Sequence, residues 1–256
     1  MATPMFEGYK FATPWYMRYL DRELRHFPDM YVYWICNNSS SNFINGLREY
    51  SELNDFRAEI EDIGSFENGL VAVTEADKKA FDKAKELEVD WLYMVEQDIL
   101  PTMENGSPLQ KFLTHLNYKK VGLCGGTYHY KKLASVIDKD AVYVDAPEGN
   151  LPDGNIDKWR QLVMARVSRI NHHAMKQLKK GLNYVDVDGI PFGFTCIKKA
   201  VFQEFDIPAK ENWEPFGSQD LAFCERIKSK WLIRLLRKVR AYHLYFDKNT
   251  GEIIVY

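Results

Sequence analysis

The sequence predicts an α/β domain: a mostly parallel central sheet flanked by helices, with a small antiparallel portion late in the chain. Three observations predict it. Strand-length apolar runs alternate with helix-period segments through the first half of the chain. Three of those runs stop in polar clusters: "MYVYWIC" before Asn37 to Asn42, "VDWLYMV" before Glu96 to Asp98, and "KVGLC" before Gly125 to Tyr128. No Ser/Gly/Pro-rich linker interrupts the 256 residues, so a single core is expected across 1–256.

The opening loop leads into a helix over "TPWYMRYLDRELRHF", with Thr13 as N-cap, Pro14 at the first helical position and an end near Pro28. "MYVYWIC" is short for a helix and bounded by turn formers, so it reads as a buried strand. "SNFINGLREYSEL" reads as a helix. Leu70 to Val73 is a short strand candidate that feeds, through Thr74 as N-cap, into "EADKKAFDKAKEL". That helix carries Ala76, Ala80, Phe81, Ala84 and Leu87 on one side. "VDWLYMV" is the next buried strand, "PLQKFLTHL" a short helix and "KVGLCGGTY" another strand. Residues 132–187 mix strand-like pieces such as "AVYVDAP" with polar turns and a helix from about Lys158 to Ile170. "YVDVDGIPFGFTCIKKAVFQEF" gives a strand, a Gly/Pro turn, a second strand and a helix starting near Lys198. "SQDLAFCERIKSK" is helical, and "RKVRAYHLYF" is a strand before a hairpin-like tail.

Composition excludes some functions. With 34 basic and 36 acidic residues the formal charge is -2, so nothing global draws the chain to nucleic acid. Cys36, Cys124, Cys196 and Cys224 are far apart and show no CxxC spacing, which predicts buried free thiols and a reducing, cytoplasmic setting. No segment approaches the roughly 20 apolar residues of a spanning helix, and the first residues lack a signal-peptide core. Residues 228–240, "KSKWLIRLLRKVR", have two readings: a basic amphipathic helix for peripheral contact with an anionic membrane, or a helix end followed by a strand.

In a parallel sheet the carboxyl ends of the strands line one crevice, where ligands bind. Asn37 to Ser40, Glu96 to Asp98 and Gly125 to Tyr128 should therefore converge. Glu96 and Asp98, two apart, point to one side of a continuing strand and suit a hard divalent cation, although such a triplet also fits a solvated turn. Asp220 opens a helix, where the dipole favours its ionised form, and helix capping alone also accounts for it. His243 lies in a late strand, as a ligand or as a core histidine.

In this order the motifs resemble the GT-A glycosyltransferases, the nucleotide-sugar-dependent class that includes the family-2-like enzymes. Cys36 to Ser40 takes the place of the family's nucleotide loop, and Glu96-Gln97-Asp98 that of the DxD motif. "PFGFTCIKKAVF" takes the place of the acceptor-side segment, Gln219-Asp220 that of the E-D pair, and His243 that of the late histidine, over about residues 30–246. Two features depart. Met1 and Ala2 leave almost no room for the family's first strand, and an arginine frequent before the DxD strand is missing from "VAVTEADKKAF".

The resemblance implies a Rossmann-like GT-A domain with a nucleotide-binding half over about 1–130 and an acceptor-side half over about 131–256. It implies transfer of a sugar from a nucleotide-diphosphate donor to a glycan, protein or lipid-linked acceptor. Asp98 and His243 would hold Mn²⁺ or Mg²⁺, Asn37, Asn38, Glu96 and Asp98 the donor, and Asp220 would be the base. A nucleotidyltransferase on a similar sheet, or a non-catalytic nucleotide-sugar or glycan-binding protein, are the alternatives.

Overall fold

The computed structural model describes residues 1–103, 106–128, 176–177, 180–213 and 218–255. At its centre β1 (Ala2–Phe6) lies between β2 (Val32–Asn37) and β4 (Trp91–Val95), with β3 (Ala58–Asp62) beyond β2, all four parallel. The pleat sorts β2 into two cores. Tyr33 and Ile35 join one cluster, and Val32, Trp34 and Cys36 join another on the opposite face. Helix α3 (Gly69–Glu86) covers the first face with Ala76, Ala80, Phe81 and Ala84, while α1 (Thr13–His26) and α2 (Ser41–Leu53) cover the second. A strand buried on both faces reads as an unbroken apolar run, which is why "VYWIC" is legible in the sequence.

The second half is mixed. Strand β8 (Phe194–Lys198) is antiparallel to both β4 and β6 (Val121–Thr127). Strand β9 (Leu232–Phe246) runs parallel to β6, then continues beyond it. It takes β5 (Ile99–Pro101), β7 (Tyr184–Val187) and β10 (Ile253–Val255) as antiparallel neighbours. Helix α4 (Pro108–Leu116) packs Leu109, Phe112 and Leu116 into a third cluster with Tyr93, Phe194 and Cys196. A short α5 (Lys199–Phe202) and α6 (Gln219–Ile227) complete the described helices. The architecture is thus the expected helix-flanked, mostly parallel sheet with an antiparallel portion. The four cysteines are buried free thiols, as expected, and burial pushes Cys36 up to about 12.

Three expectations are corrected. The opening residues are not a loop: "ATPMF" is β1, in the middle of the sheet, so the first strand has the room it seemed to lack. Tyr33 N donates to Met1 O on the β2 side, whereas Phe6 N donates to Gln97 Oε1 at 2.8 Å on the other. Alternation puts the missing N–H of Pro4 on that second side, away from the β2 ladder. Leu70 to Val73 is the first turn of α3, capped by Asn68 Oδ1, which accepts from Leu70 N at 2.9 Å. Thr74 is inside that helix, its hydroxyl donating to Leu70 O. The strand is instead "AEIED", whose acids hide it: Glu59 and Glu61 accept from the Tyr31 and Tyr33 hydroxyls and pair with Lys83 and Lys79. Charged side chains on an edge strand of this kind oppose edge-to-edge pairing.

Thr13 is the first residue of α1 and Ala12 its cap, because the Thr13 hydroxyl is taken by Gln97. Of the two readings of residues 228–240, the helix end followed by a strand is the one observed, and not an amphipathic helix. They enter β9, with Ile233, Leu235, Leu236 and Val239 in the core and Arg234 bonded to Asp186 at 2.7 Å. No helix among the described residues is long and apolar enough to cross a membrane. The strand-like "AVYVDAP" and the helix over 158–170 lie outside the described residues.

Candidate active site

The turn between β4 and β5 builds the centre of the site. Strand β4 belongs to the main sheet and β5 pairs with the far half of β9, so the chain changes strand partners within Glu96-Gln97-Asp98. Ile99 N donates to Glu96 O at 3.1 Å to close the turn. Gln97 turns inward: its Oε1 accepts from Phe6 N and its Nε2 donates to Thr13 Oγ1 at 2.7 Å. The middle residue of the triplet therefore ties the end of β1 to the start of α1, and the flanking acids are left for the crevice.

Register then decides what Asp98 meets. Ile99 stands opposite His243, and Leu244 N donates to Asp98 O at 2.8 Å. This brings Asp98 Oδ2 and His243 Nε2 to 3.1 Å, both side chains mostly buried. On the other side, Glu96 N donates to Gly193 O at 2.9 Å. A Cβ at Gly193 would stand 2.7 Å from the Tyr128 hydroxyl and 3.0 Å from Glu96 Cδ, so only glycine lets both side chains close over it. The Tyr128 ring meets His243 edge-on at 6.1 Å. Glu96, Asp98, Tyr128 and His243, from β4 to β9, thus form one cluster.

Asp220 approaches from the first turn of α6. Its Oδ1 accepts from Leu221 N at 2.7 Å and from the Ser218 hydroxyl. Next to it Gln219 Nε2 donates to Asp77 Oδ2, on α3, at 3.0 Å. Asp77 was not singled out in the sequence, although the signal was there: it is four residues before Phe81 and seven before Ala84, an acid on the apolar stripe. Gln219 Oε1 is buried without a hydrogen-bond partner, an arrangement that costs about 1–3 kcal/mol until a donor arrives.

The charges crowd one another. Burial, then Asp98 and Asp220, push Glu96 up to about 8, with His243 pulling the other way. Burial pushes Asp220 up, against the Ser218 hydroxyl and three main-chain donors that pull it down. Asp77 is driven well above the carboxylate range by burial first and by Glu96 and Asp220 after it. Such a cluster of acids is relieved by a cation. Asp98 and His243 are a carboxylate and imidazole pair of the kind Mn²⁺ takes, and Mg²⁺ sites also use one or two carboxylates with substrate phosphates completing the shell. Among the described residues no group of three or more His, Cys, Asp or Glu is arranged to hold a metal unaided.

The predicted donor loop is at the same end of the sheet. Phe6 of β1 stands beside Asn37 and is bonded to Gln97, which links the β2 end to the turn. Asn37 Nδ2 donates to Met5 O at 3.4 Å. Asn38 sits at φ 46°, donates through Nδ2 to Phe66 O and accepts from Phe66 N at 2.7 Å. Its amide thus holds the loops after β2 and β3 together. Ser40 caps α2, accepting from Phe43 N, and its own N–H donates to Glu7.

Among solved structures, S. aureus TarS (residues 1–349) matches 94% of this chain and 58% of its own, with TM-score 0.53 and 12% identity. The fold is GT-A-like. UTP-bound UGPase from Acinetobacter baumannii matches 91% of this chain and 76% of its own at TM-score 0.48 and 8% identity. A nucleoside-diphosphate-sugar pyrophosphorylase from Vibrio cholerae matches 94% and 92% at TM-score 0.49 and 10% identity. No family model and no curated protein matches the chain. At these identities the GT-A likeness is one of fold, so activity has to be argued from the site.

Proposed function

We propose that the protein is a metal-dependent glycosyltransferase, moving a sugar from a nucleotide-diphosphate donor to an acceptor hydroxyl. The observation that carries this is the Asp98 and His243 pair, 3.1 Å apart, set beside Glu96 at the carboxyl end of β4. A bound Mn²⁺ or Mg²⁺ would supply charge stabilisation to the departing diphosphate. Asp98 and His243 would hold it, and Glu96, beside Tyr128, would face the donor. Asn37, with the loop that Asn38 pins, lines the nucleotide end.

In an inverting transfer the acceptor oxygen forms its bond to the anomeric carbon as the bond to the diphosphate oxygen breaks, and the hydroxyl proton passes to Asp220. Burial raises the pKa of Asp220, which makes its carboxylate a stronger base. Its contacts to Ser218 and Leu221 fix the carboxyl's direction. A nucleotidyltransferase needs a donor-rich loop for a triphosphate. Here the segment after β1 is Glu7 to Ala12, with one glycine and an acid that Ser40 N keeps ionised.

A thermal-shift panel of UDP- and GDP-sugars with and without Mn²⁺ tests the reading. Stabilisation by one nucleotide sugar that depends on Mn²⁺ is expected. Asp98→Ala should abolish it and lower nucleotide release at least a hundredfold, with the unfolding midpoint little changed. Full release by a folded Asp98→Ala protein rejects the site.

A further inference from the structure

Asp77 is a buried acid that the chemistry above leaves without a task. It lies on the stripe of α3 that continues through Phe81 and Ala84, 1% exposed, where an aliphatic side chain would pack without taking a carboxyl out of water. Its partner, Gln219, is 3% exposed and is the first residue of α6, and its Nε2 donates to Asp77 Oδ2 at 3.0 Å. The tie holds for either orientation of the amide, since a carboxyl that keeps its proton can donate to the carbonyl as well as accept from the N–H. The next residue is Asp220.

The contacts of Asp220 divide into two kinds. The Ser218 hydroxyl and the N–H groups of Asp220 and Leu221 belong to the same turn as the carboxyl, so they aim it within the turn and move with it. Where the turn itself stands is set from outside. The main chain of Phe192 reaches the carboxyl, and Asp77 reaches the turn through Gln219. The apolar contacts are one turn further on, where Phe223 meets Phe81 at 5.3 Å and Phe192 at 5.4 Å between ring centroids. Apolar burial is non-directional and lets a helix shift by fractions of an ångström, whereas a buried hydrogen bond fixes a distance and a direction. A general base must stand within about 2.6–3.2 Å of the oxygen it deprotonates, so such shifts matter. We infer that Asp77 is a positioning residue: by holding Gln219 it sets where the first turn of α6 stands against α3, and so where the Asp220 carboxylate meets the attacking hydroxyl. This rests on the glycosyl-transfer reading, in which Asp220 takes the acceptor proton.

The test is a double-variant cycle, read in nucleotide release from the nucleotide sugar that stabilises the protein most, with Mn²⁺ and with water in place of the acceptor. Asp220→Asn should lower kcat about a hundredfold, the scale of a lost general base. Asp77→Leu should lower kcat about tenfold through misplacement of the base, with the donor KM held within about twofold, and Gln219→Met should match it. Asp77→Asn keeps a partner for the Gln219 amide and should restore kcat. The combined Asp77→Leu and Asp220→Asn protein should be no slower than Asp220→Asn, because a positioning effect disappears with the group it positions, whereas a general loosening of the fold would multiply the two losses. Multiplied losses overturn the inference alone, as does an unchanged kcat in folded Asp77→Leu or Gln219→Met. Asp220→Asn as fast as the wild type, or a wild type that releases nucleotide from no sugar of the panel, overturns the functional reading along with it.

Discussion

At the scale of residues, three neighbours of similar polarity have three different fates. Gln97 is a strut between β1 and α1, Asp98 is paired with His243, and Glu96 is left among other acids. The last has a measurable consequence. Between its ordinary value of 4.5 and about 8, folded Glu96 keeps a proton that the unfolded chain has lost. Stability then falls as pH rises through that window, by up to about 1.4 kcal/mol per pH unit. Asp77 and Asp220, also raised, act in the same direction. Urea midpoints measured without divalent cations from pH 5 to 8 should show the decline, and Glu96→Gln should flatten it. An equal slope in both proteins contradicts the crowding described here. The order of motifs along the chain singles out Asp98, Asp220 and His243, and the structure brings Asp98 to His243. It does not single out Asp77, since an acid on an apolar stripe gains meaning only from what packs against it.

At the scale of elements, polar side chains hold the connections that shape the site. Glu23, fully buried on α1, accepts from the Tyr19 hydroxyl at 2.9 Å, the Ser107 hydroxyl at 2.6 Å and Leu109 N at 3.2 Å. It thereby holds the first turn of α4. Glu23→Leu leaves the Ser107 hydroxyl and Leu109 N without this acceptor, while Tyr19 keeps its bond to Tyr93, and should lower the unfolding free energy by about 3 kcal/mol in urea titrations. A loss under about 1 kcal/mol is incompatible with this role. Helices α2 and α4 were read with their observed limits because Ser40 and Ser107 cap them by local bonds. Strands β1 and β3 were missed for opposite reasons. Pro4 argues against a strand until its absent N–H is seen to face away from β2, and β3 carries acids whose partners come from β2 and α3.

At the scale of the whole molecule, the sheet brings residues far apart in sequence to one end, where a donor would bind. Binding to the folded state alone should stabilise it by mass action, about 2.7 kcal/mol at a hundredfold excess over Kd. For a chain of this length that corresponds to a rise of roughly 5–10 °C in Tm with donor and Mn²⁺ together. A rise of the same size with Mn²⁺ alone would contradict the proposed dependence on nucleotide. The sequence by itself determined the two-sided burial of β2 and β4, the helices with local caps and the order of the polar clusters, because periodicity and capping are written within a few residues. Only the tertiary structure decided that Asp98 meets His243, that Gln97 is a strut, and that Asp77 faces Gln219. Those pairings span 145, 91 and 142 residues of chain, and they depend on strand register and helix packing, which local sequence does not encode.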